Sequence, residues 1–330
     1  MKLQKPEGRA RVLVRVLVSA LPLLLCLLAL GGHESSAQKK GKGGAPASSK
    51  TATKSAARSI NVKTQPGASV WLDEVRRGAA DASGQLQLSN VSAGRHTLRV
   101  RAKGFQERTL AVLPAQRGTL EVRLVPTNDE AELLFQQAEE SREKAGGASQ
   151  SVELYRRALA LRSRFPAARV GLARALLATE DHDGALDEIA AARRLRPSYP
   201  EASAVEGRIL KSLGDPDAAL DSYRRAIREG RGFQPEAHTG MGLVFEEQGQ
   251  HAEAVEAFRK AISQLSDTEP VLYELLGRNY ERLENWKEAA RAYEKYLQLA
   301  PEGSHASAIR SIIEQLQRQA AEQEQTSPDE

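Results

Sequence analysis

Arginine recurs at one position of a repeated segment, directly after an alanine or a glycine. The cations concerned are Arg174, Arg208 and Arg278, with Lys211 one helical turn after the second of them. A guanidinium group donates two parallel hydrogen bonds to a carboxylate, so arginines in register could bind an acidic ligand. Acidic neighbours could instead neutralise this arginine row, as Glu274 or Glu281 could for Arg278 on its own helix.

The spacing of the remaining reactive residues does not match a catalytic motif. The six histidines are scattered, and none has another at the three- or four-residue separation of a helical metal site. No nucleophile elbow, phosphate-binding loop or dinucleotide fingerprint is present in the sequence, and Gly240-x-Gly242 lies inside a helical pattern. We predict that the chain is not an enzyme and uses no cofactor or metal.

The elements that would position the arginines follow from a pattern with a period of 34 or 35 residues. Alanine, then an aromatic residue or isoleucine, then alanine or tyrosine recur at fixed spacing in four segments. These are Ala185-x-x-x-Ile189-x-x-Ala192, Ala219-x-x-x-Tyr223-x-x-Ala226, Ala254-x-x-x-Phe258-x-x-Ala261 and Ala289-x-x-x-Tyr293-x-x-Tyr296. A recurrence of this length predicts stacked helix pairs, with two helices of about 14 residues in each period.

A small residue precedes each of these segments at the same interval. The four are Ala173, Gly207, Gly242 and Gly277. Glycine inside a helix costs about 1 kcal/mol relative to alanine. We therefore expect the missing side chain to allow the paired helix to approach closely.

These segments, together with Leu276-Gly277-x-x-Tyr280, resemble tetratricopeptide repeats. The resemblance covers residues 166–301 as repeats 2–5, and Tyr155 and Ala158 are in phase with them, which indicates a divergent repeat 1 at 127–165. In that repeat Glu139 occupies the small-residue position. We predict a capping helix at 302–321 and a disordered tail at 322–330.

The resemblance implies that the first helix of each pair lines a concave groove. Arg174, Arg208, Lys211 and Arg278 would then face a protein or peptide partner. The lysine and asparagine set with which one type of this family clamps a terminal carboxylate is absent. Tyr199 and Phe233, in the loops between repeats, could hold a ligand at the groove edge or pack against the next helix.

Two segments precede the folded part. Residues 1–37 combine a basic start with a 15-residue apolar run at 16–30 and small residues at Ser35-Ser36-Ala37, which predicts a cleaved signal peptide. An uncleaved signal anchor is the alternative. Residues 38–59 contain six cations and no acidic residue, and we interpret them as a basic flexible linker.

Residues 60–126 change to a period of two, with glycine or proline every 8–12 residues, which is typical of a small all-β sandwich. The segments Pro66-Gly67-Ala68, Val70-Trp71-Leu72-Asp73 and Ala93-Gly94-Arg95-His96 resemble the PEGA-type surface domain. The sequence departs from that family at Glu74, where glycine is usual, so the first hairpin could be wider or bulged. The resemblance implies a location at the cell envelope more than an activity.

Charge divides the chain into two parts. Residues 38–126 hold 16 basic and 5 acidic residues, whereas 127–330 hold 26 and 36. Opposite signs indicate either attraction within the chain or different partners for each part, unless both surfaces are simply solvated. Arg95, Arg99, Arg101 and Lys103 lie close together in one predicted strand. Strand alternation would bring them to one side of a strand as a polyanion patch.

The sequence therefore predicts a multidomain chain, with a PEGA-like β-sandwich followed by an all-α solenoid. We expect an exported, non-catalytic adaptor that binds protein or peptide partners in the periplasm or cell envelope, anchored to the inner membrane if the signal is uncleaved. The alternative is an envelope structural protein that binds an anionic glycan or a membrane surface through the basic β-domain. Nucleic acid is not an expected partner, and the oligomeric state stays open.

Overall fold

A computed structural model describes residues 58–73, 75–91, 94–265 and 268–326 of the chain. The predicted signal peptide and all but the last two residues of the predicted linker lie outside this part. Among the described residues, no helix combines the length and the apolar character that crossing a membrane requires.

Residues 58–126, here called the β-domain, form two sheets. The strands are β1 (Arg58–Lys63), β2 (Ser69–Leu72), β3 (Val75–Ala79), β4 (Gln85–Val91), β5 (His96–Arg101), β6 (Arg108–Val112) and β7 (Gly118–Glu121). One sheet has the order β4-β1-β7 and the other the order β3-β2-β5-β6. Strand β1 is antiparallel to β4 and parallel to β7.

Period-two alternation explains the core of the β-domain. Ile60 and Val62 of β1 and Leu98 and Val100 of β5 are fully buried, and residues between them in each strand are more exposed. The apolar faces of both sheets contribute to one cluster. The β2–β3 hairpin contains a register shift between Val70 and Trp71.

The rest of the described chain is helical. The helices are α1 (Glu130–Arg142), α2 (Ala148–Leu161), α3 (Pro166–Ala178), α4 (His182–Leu195), α5 (Pro200–Ser212), α6 (Pro216–Glu229), α7 (Pro235–Glu247), α8 (His251–Gln264), α9 (Pro270–Arg282), α10 (Trp286–Leu299) and α11 (Ala306–Thr326). Helices α1 to α10 form five antiparallel pairs, numbered here as repeats 1 to 5. Proline opens α3, α5, α6, α7 and α9, where its missing N–H is not needed.

Aromatic rings of the second helices fit against glycines of the first helices. A Cβ atom added at Gly207 would lie 2.7 Å from the Tyr223 ring, and one at Gly277 would lie 2.7 Å from the Tyr293 ring. Gly240, in the first helix of the next repeat, meets the same Tyr223 ring more closely still. The absent side chains therefore allow close approach both within a pair and between neighbouring pairs.

Helix α11 covers the last pair, with Ile309, Ile313 and Leu316 buried against α10. It continues to Thr326. The predicted disordered tail is therefore wrong for residues 322–326, which extend the amphipathic helix. Residues 327–330 lie outside the described part of the chain.

Candidate functional site

A cavity of about 810 Å³ lies on the concave face of the solenoid. Its floor comes from the first helices of repeats 2–5, through residues that include Leu177, Arg208, Lys211, Glu236 and Leu243. Asp73 and Arg76 of the β2–β3 hairpin also line it. The site is thus lined by both the inner helices and the β-domain.

The arginine row does not form a free ladder. Arg174 of α3 forms an ion pair of 2.8 Å with Glu236 of α7, and the Arg208 guanidinium lies 3.9 Å from the other oxygen of the same carboxylate. Arg278 of α9 pairs at 3.2 Å with Glu246 of α7, and not with an acid on its own helix. These ion pairs join different repeats, so they cannot be predicted from acidic residues that are close to the arginines in the sequence.

Lys211 completes this set of pairs, because its ammonium lies 2.6 Å from the Glu247 carboxylate of α7. Burial opposes ionisation of the Glu236 carboxyl, but Arg174 and Arg208 outweigh that effect and lower its pKa. Glu236 is therefore held as an anion. Ion pairs within the chain therefore neutralise most of the charges of the groove floor. A ligand has to complement the hydrogen-bond donors that these ion pairs leave unused.

A second cavity, of about 960 Å³, lies toward the C-terminal end of the same face. Glu246, Glu247, Trp286 and His305 are among its lining residues. Glu247 pairs with Lys211, which lines the first cavity, so the two cavities adjoin at this ion pair.

The predicted groove-edge role of Tyr199 and Phe233 is not supported. Tyr199 is buried in the core, and the Arg196 guanidinium lies 4.4 Å from the centre of its ring. Phe233 meets His96 of the β-domain edge to face, with ring centres 6.4 Å apart. Both aromatic rings therefore pack within the protein, where they bury a large apolar surface.

The four cations of the predicted polyanion patch do not form one exposed surface. Arg101 is buried, and Arg99 stacks on Trp71 at 4.7 Å while its guanidinium lies 3.8 Å from Glu107. Arg95 and Lys103 are exposed. They lie beyond opposite ends of β5, roughly 25 Å apart from the rise per residue. Alternation does place Arg99 and Arg101 on one side of β5, but that side faces protein.

Arg101 joins the β-domain to repeat 1 through a buried cluster on Glu139. The Glu139 carboxylate lies 3.5 Å from Arg101 and 3.2 Å from Arg142, and it accepts a hydrogen bond from the Tyr155 hydroxyl. Arg101 also pairs with Glu107 at 2.7 Å. The repeat pattern identifies Glu139 only as a departure from the small residue expected at its position. An acidic side chain there was the available indication of a buried ion-pair cluster.

Burial alone would raise the pKa of the Glu139 carboxyl. Arg101 and Arg142, with the Tyr155 hydroxyl, outweigh burial and lower its pKa to about 2. The same carboxylate and burial raise the pKa of Tyr155 well above its ordinary value. Glu139 is therefore a buried anion at any pH at which the chain is expected to work.

Further contacts join the β-domain to repeat 1 and to later repeats. Gln136 of α1 donates to the Phe105 carbonyl at 2.6 Å. At the far side of the groove, Arg77 of β3 donates to Thr268 Oγ1 at 3.2 Å, in the segment between α8 and α9. With the Phe233–His96 contact, the β-domain extends from repeat 1 to the start of repeat 5. It forms the second wall of the first cavity.

In the described ranges, no group of three or more His, Cys, Asp or Glu side chains has an arrangement that could hold a metal ion. His251 instead hydrogen-bonds Asn279 at 2.9 Å, and His305 lies 2.9 Å from Glu274.

The helical part is thus a solenoid of helix pairs around one concave face. Three family models, each described as a tetratricopeptide repeat, match residues 142–209, 205–270 and 270–302. Residues 142–302 are therefore tetratricopeptide repeats, as the sequence predicted, and this fold serves as a scaffold for protein interactions. The β-domain lies outside the matched segments.

The chain is also similar to solved structures. The Cut9 and Hcn1 hetero-tetramer of the APC/C matches with a TM-score of 0.50 and 17% identity, over 61% of this chain and 41% of that chain. A tetratricopeptide protein of Thermus thermophilus has a TM-score of 0.49 and 20% identity, over 56% and 98%. PilW, a type IV pilus biogenesis factor, has 0.48 and 15%, over 60% and 94%. A search of curated proteins finds no match.

Proposed function

We propose that the chain is an exported, non-catalytic adaptor that binds a segment of a partner protein in its concave groove. The cavity of about 810 Å³ carries this proposal. Its size lies within the roughly 300–1,000 Å³ typical of ligand sites, and it combines an apolar floor with a few charged groups. A solenoid offers this surface without further folding of the protein, so binding does not carry the entropy cost of ordering the groove itself.

The β-domain supports a location at the envelope by its resemblance to the PEGA-type domain. Two sheets around one apolar core agree with that resemblance, although they do not establish the family. The alternative function, binding of a glycan or membrane through basic residues of the β-domain, has less support, because two of its four candidate cations, Arg99 and Arg101, contact protein. We therefore do not propose it.

Replacing Leu243 with arginine tests the groove. Leu243 is half-buried and lines the cavity, so a long cation there would occupy the ligand's volume. After cross-linking in envelope extract, the wild-type chain should retain specific proteins, and the Leu243→Arg variant should retain at least tenfold less, as expected for an interface hot spot.

Leu213→Arg is the matched control, because Leu213 is an exposed leucine that lines neither cavity. It should retain the same proteins as the wild type. Equal retention by the Leu243→Arg variant, with its helical circular dichroism intact, would reject binding in the groove.

Export is tested by the N-terminus of the chain expressed in a bacterial host. We expect the envelope fraction to contain a chain that begins at Gln38, since small residues precede that position. Terminal sequencing and intact mass measure this. An intact Met1 in the membrane fraction would favour the uncleaved anchor, and an intact Met1 in the cytosol would contradict export.

A further inference from the structure

The first cavity has cationic donors on both of its walls. Arg208 comes from α5 on the solenoid side, and Arg76 comes from β3 on the β-domain side. The β-domain wall is held in place by the Arg101–Glu139 pair at one end and by Arg77 at the other. A ligand in the cavity therefore meets residues from two parts of the chain at once.

These two guanidinium groups retain unused hydrogen-bond donors. Within the described ranges, Arg76 has no ion pair, and its hydrogen bond is to Ser69 Oγ at 3.4 Å. The carboxylate nearest to Arg208 is Glu236 at 3.9 Å, beyond hydrogen-bond range, and Glu236 already accepts from Arg174 at 2.8 Å. About half of the Arg208 side chain is exposed.

Two of the three carboxylates that line the same cavity, Asp73 and Glu236, already accept hydrogen bonds. One oxygen of Asp73 lies 2.5 Å from His96 Nδ1, and the other accepts from the Thr97 amide at 2.8 Å. Burial lowers the pKa of the Arg77 guanidinium, and Asp73 and Glu269 offset that effect only in part. The cavity thus offers open guanidinium donors beside two carboxylates that already accept hydrogen bonds, which favours an anionic ligand.

Apolar side chains of the same cavity define the rest of the ligand. Leu177, Leu243 and Val271 line the cavity, and about half of Val271 is exposed. A free inorganic anion would leave this surface uncovered, whereas a peptide with aliphatic side chains would bury it.

We propose that the partner segment is acidic and aliphatic, and that one of its carboxylates is received between Arg76 of the β-domain and Arg208 of α5. The inference rests on the proposed function, whose groove it specifies. The β-domain then forms part of the binding site. Planar guanidinium groups suit a carboxylate better than lysine would, because each can donate two hydrogen bonds.

The test uses a fluorescent octapeptide of alternating aspartate and leucine, blocked at both ends, with matched peptides that carry asparagine or lysine for aspartate. Fluorescence anisotropy should show that the purified chain binds the aspartate peptide at least tenfold more tightly than it binds the asparagine peptide or the lysine peptide. Arg76→Gln and Arg208→Gln should each weaken that binding at least tenfold, as loss of a hydrogen bond between charged groups does.

Arg224→Gln is the control, because Arg224 is an exposed arginine of α6 that already pairs with Asp221 and lines neither cavity. It should leave the affinity unchanged. No binding of the aspartate peptide, equal binding of the asparagine peptide, or indifference to Arg76→Gln would overturn the inference. A phosphoserine peptide that binds more than tenfold tighter would overturn the choice of carboxylate.

The two proposals fail in different ways. If the Leu243→Arg variant loses its envelope partners while the Arg76→Gln and Arg208→Gln variants keep them, the groove binds a partner but the acidic specificity is wrong. If the Leu243→Arg variant keeps every partner, the adaptor function itself fails.

Discussion

Replacing Glu139 with glutamine is expected to destabilise the chain by about 3 kcal/mol. Removing one member of a buried ion pair costs roughly 3–5 kcal/mol, because the remaining charge stays buried without its counter-ion. Here the loss falls at the lower end, since Arg101 keeps Glu107 at 2.7 Å. Glutamine preserves the size of the side chain and an acceptor for the Tyr155 hydroxyl. The measurement is urea unfolding followed by circular dichroism.

The neighbouring variant Glu140→Gln is the control. Glu140 is exposed and pairs with Lys144 one helical turn away, a contact worth at most about 0.5 kcal/mol. The two variants remove the same charge from adjacent positions. Equal unfolding midpoints for both would mean that the Glu139 cluster does not stabilise the fold.

The same variant has a defined pH dependence. The pKa of Glu139 is about 2 in the folded chain against an ordinary value of 4.5, so the folded state favours the anion. Its contribution to stability is therefore complete above about pH 5 and is lost as the pH falls from about 4.5 toward 2. The difference in unfolding free energy between wild type and Glu139→Gln should shrink over that interval. A difference that stays constant from pH 7 to pH 3 would contradict this assignment.

The second large effect concerns Tyr223 and Gly240. Tyr223 is 2% exposed, and truncation of a buried aromatic to alanine costs roughly 3–5 kcal/mol. Gly240→Ala alone should also destabilise, because its methyl group would collide with the Tyr223 ring and overpacking costs about 1–3 kcal/mol. In the Tyr223→Ala background the collision is gone. There Gly240→Ala should stabilise by up to about 1 kcal/mol, since alanine is the better helix former.

A double-mutant cycle measured by thermal and urea unfolding reports this change of sign. The four proteins of the cycle serve as mutual controls, because the same glycine is changed with and without its neighbour. If Gly240→Ala destabilised both backgrounds equally, the ring would not be the reason for glycine at this position.

The helices of the solenoid could be predicted because their signals are local. The alanine and aromatic spacing, the small residue and the proline at helix starts each lie within one repeat of 34 or 35 residues. Strand β3 has no such local signal, because Val75-Arg76-Arg77-Gly78-Ala79 lacks a regular alternation of apolar residues. Antiparallel pairing with β2, and not a local sequence pattern, defines this strand.

The site could be predicted only in part. Repeat geometry places Arg174 and Arg208 near the concave face, but their carboxylate, Glu236, is 62 residues beyond Arg174. The burial of Arg101 likewise depends on Glu139, 38 residues away and on another part of the fold. Pairs of this kind follow from the curvature of the solenoid and the docking of the β-domain, neither of which has a local pattern in the sequence.

The Arg77–Thr268 contact has a consequence for synthesis of the chain. Its two residues are 191 positions apart. At about 5–20 residues per second, the ribosome needs roughly 10–40 s to add that length. During this interval the β-domain has been made but its partner on the α8–α9 segment has not. Its own apolar core must therefore keep it folded until the later repeats arrive.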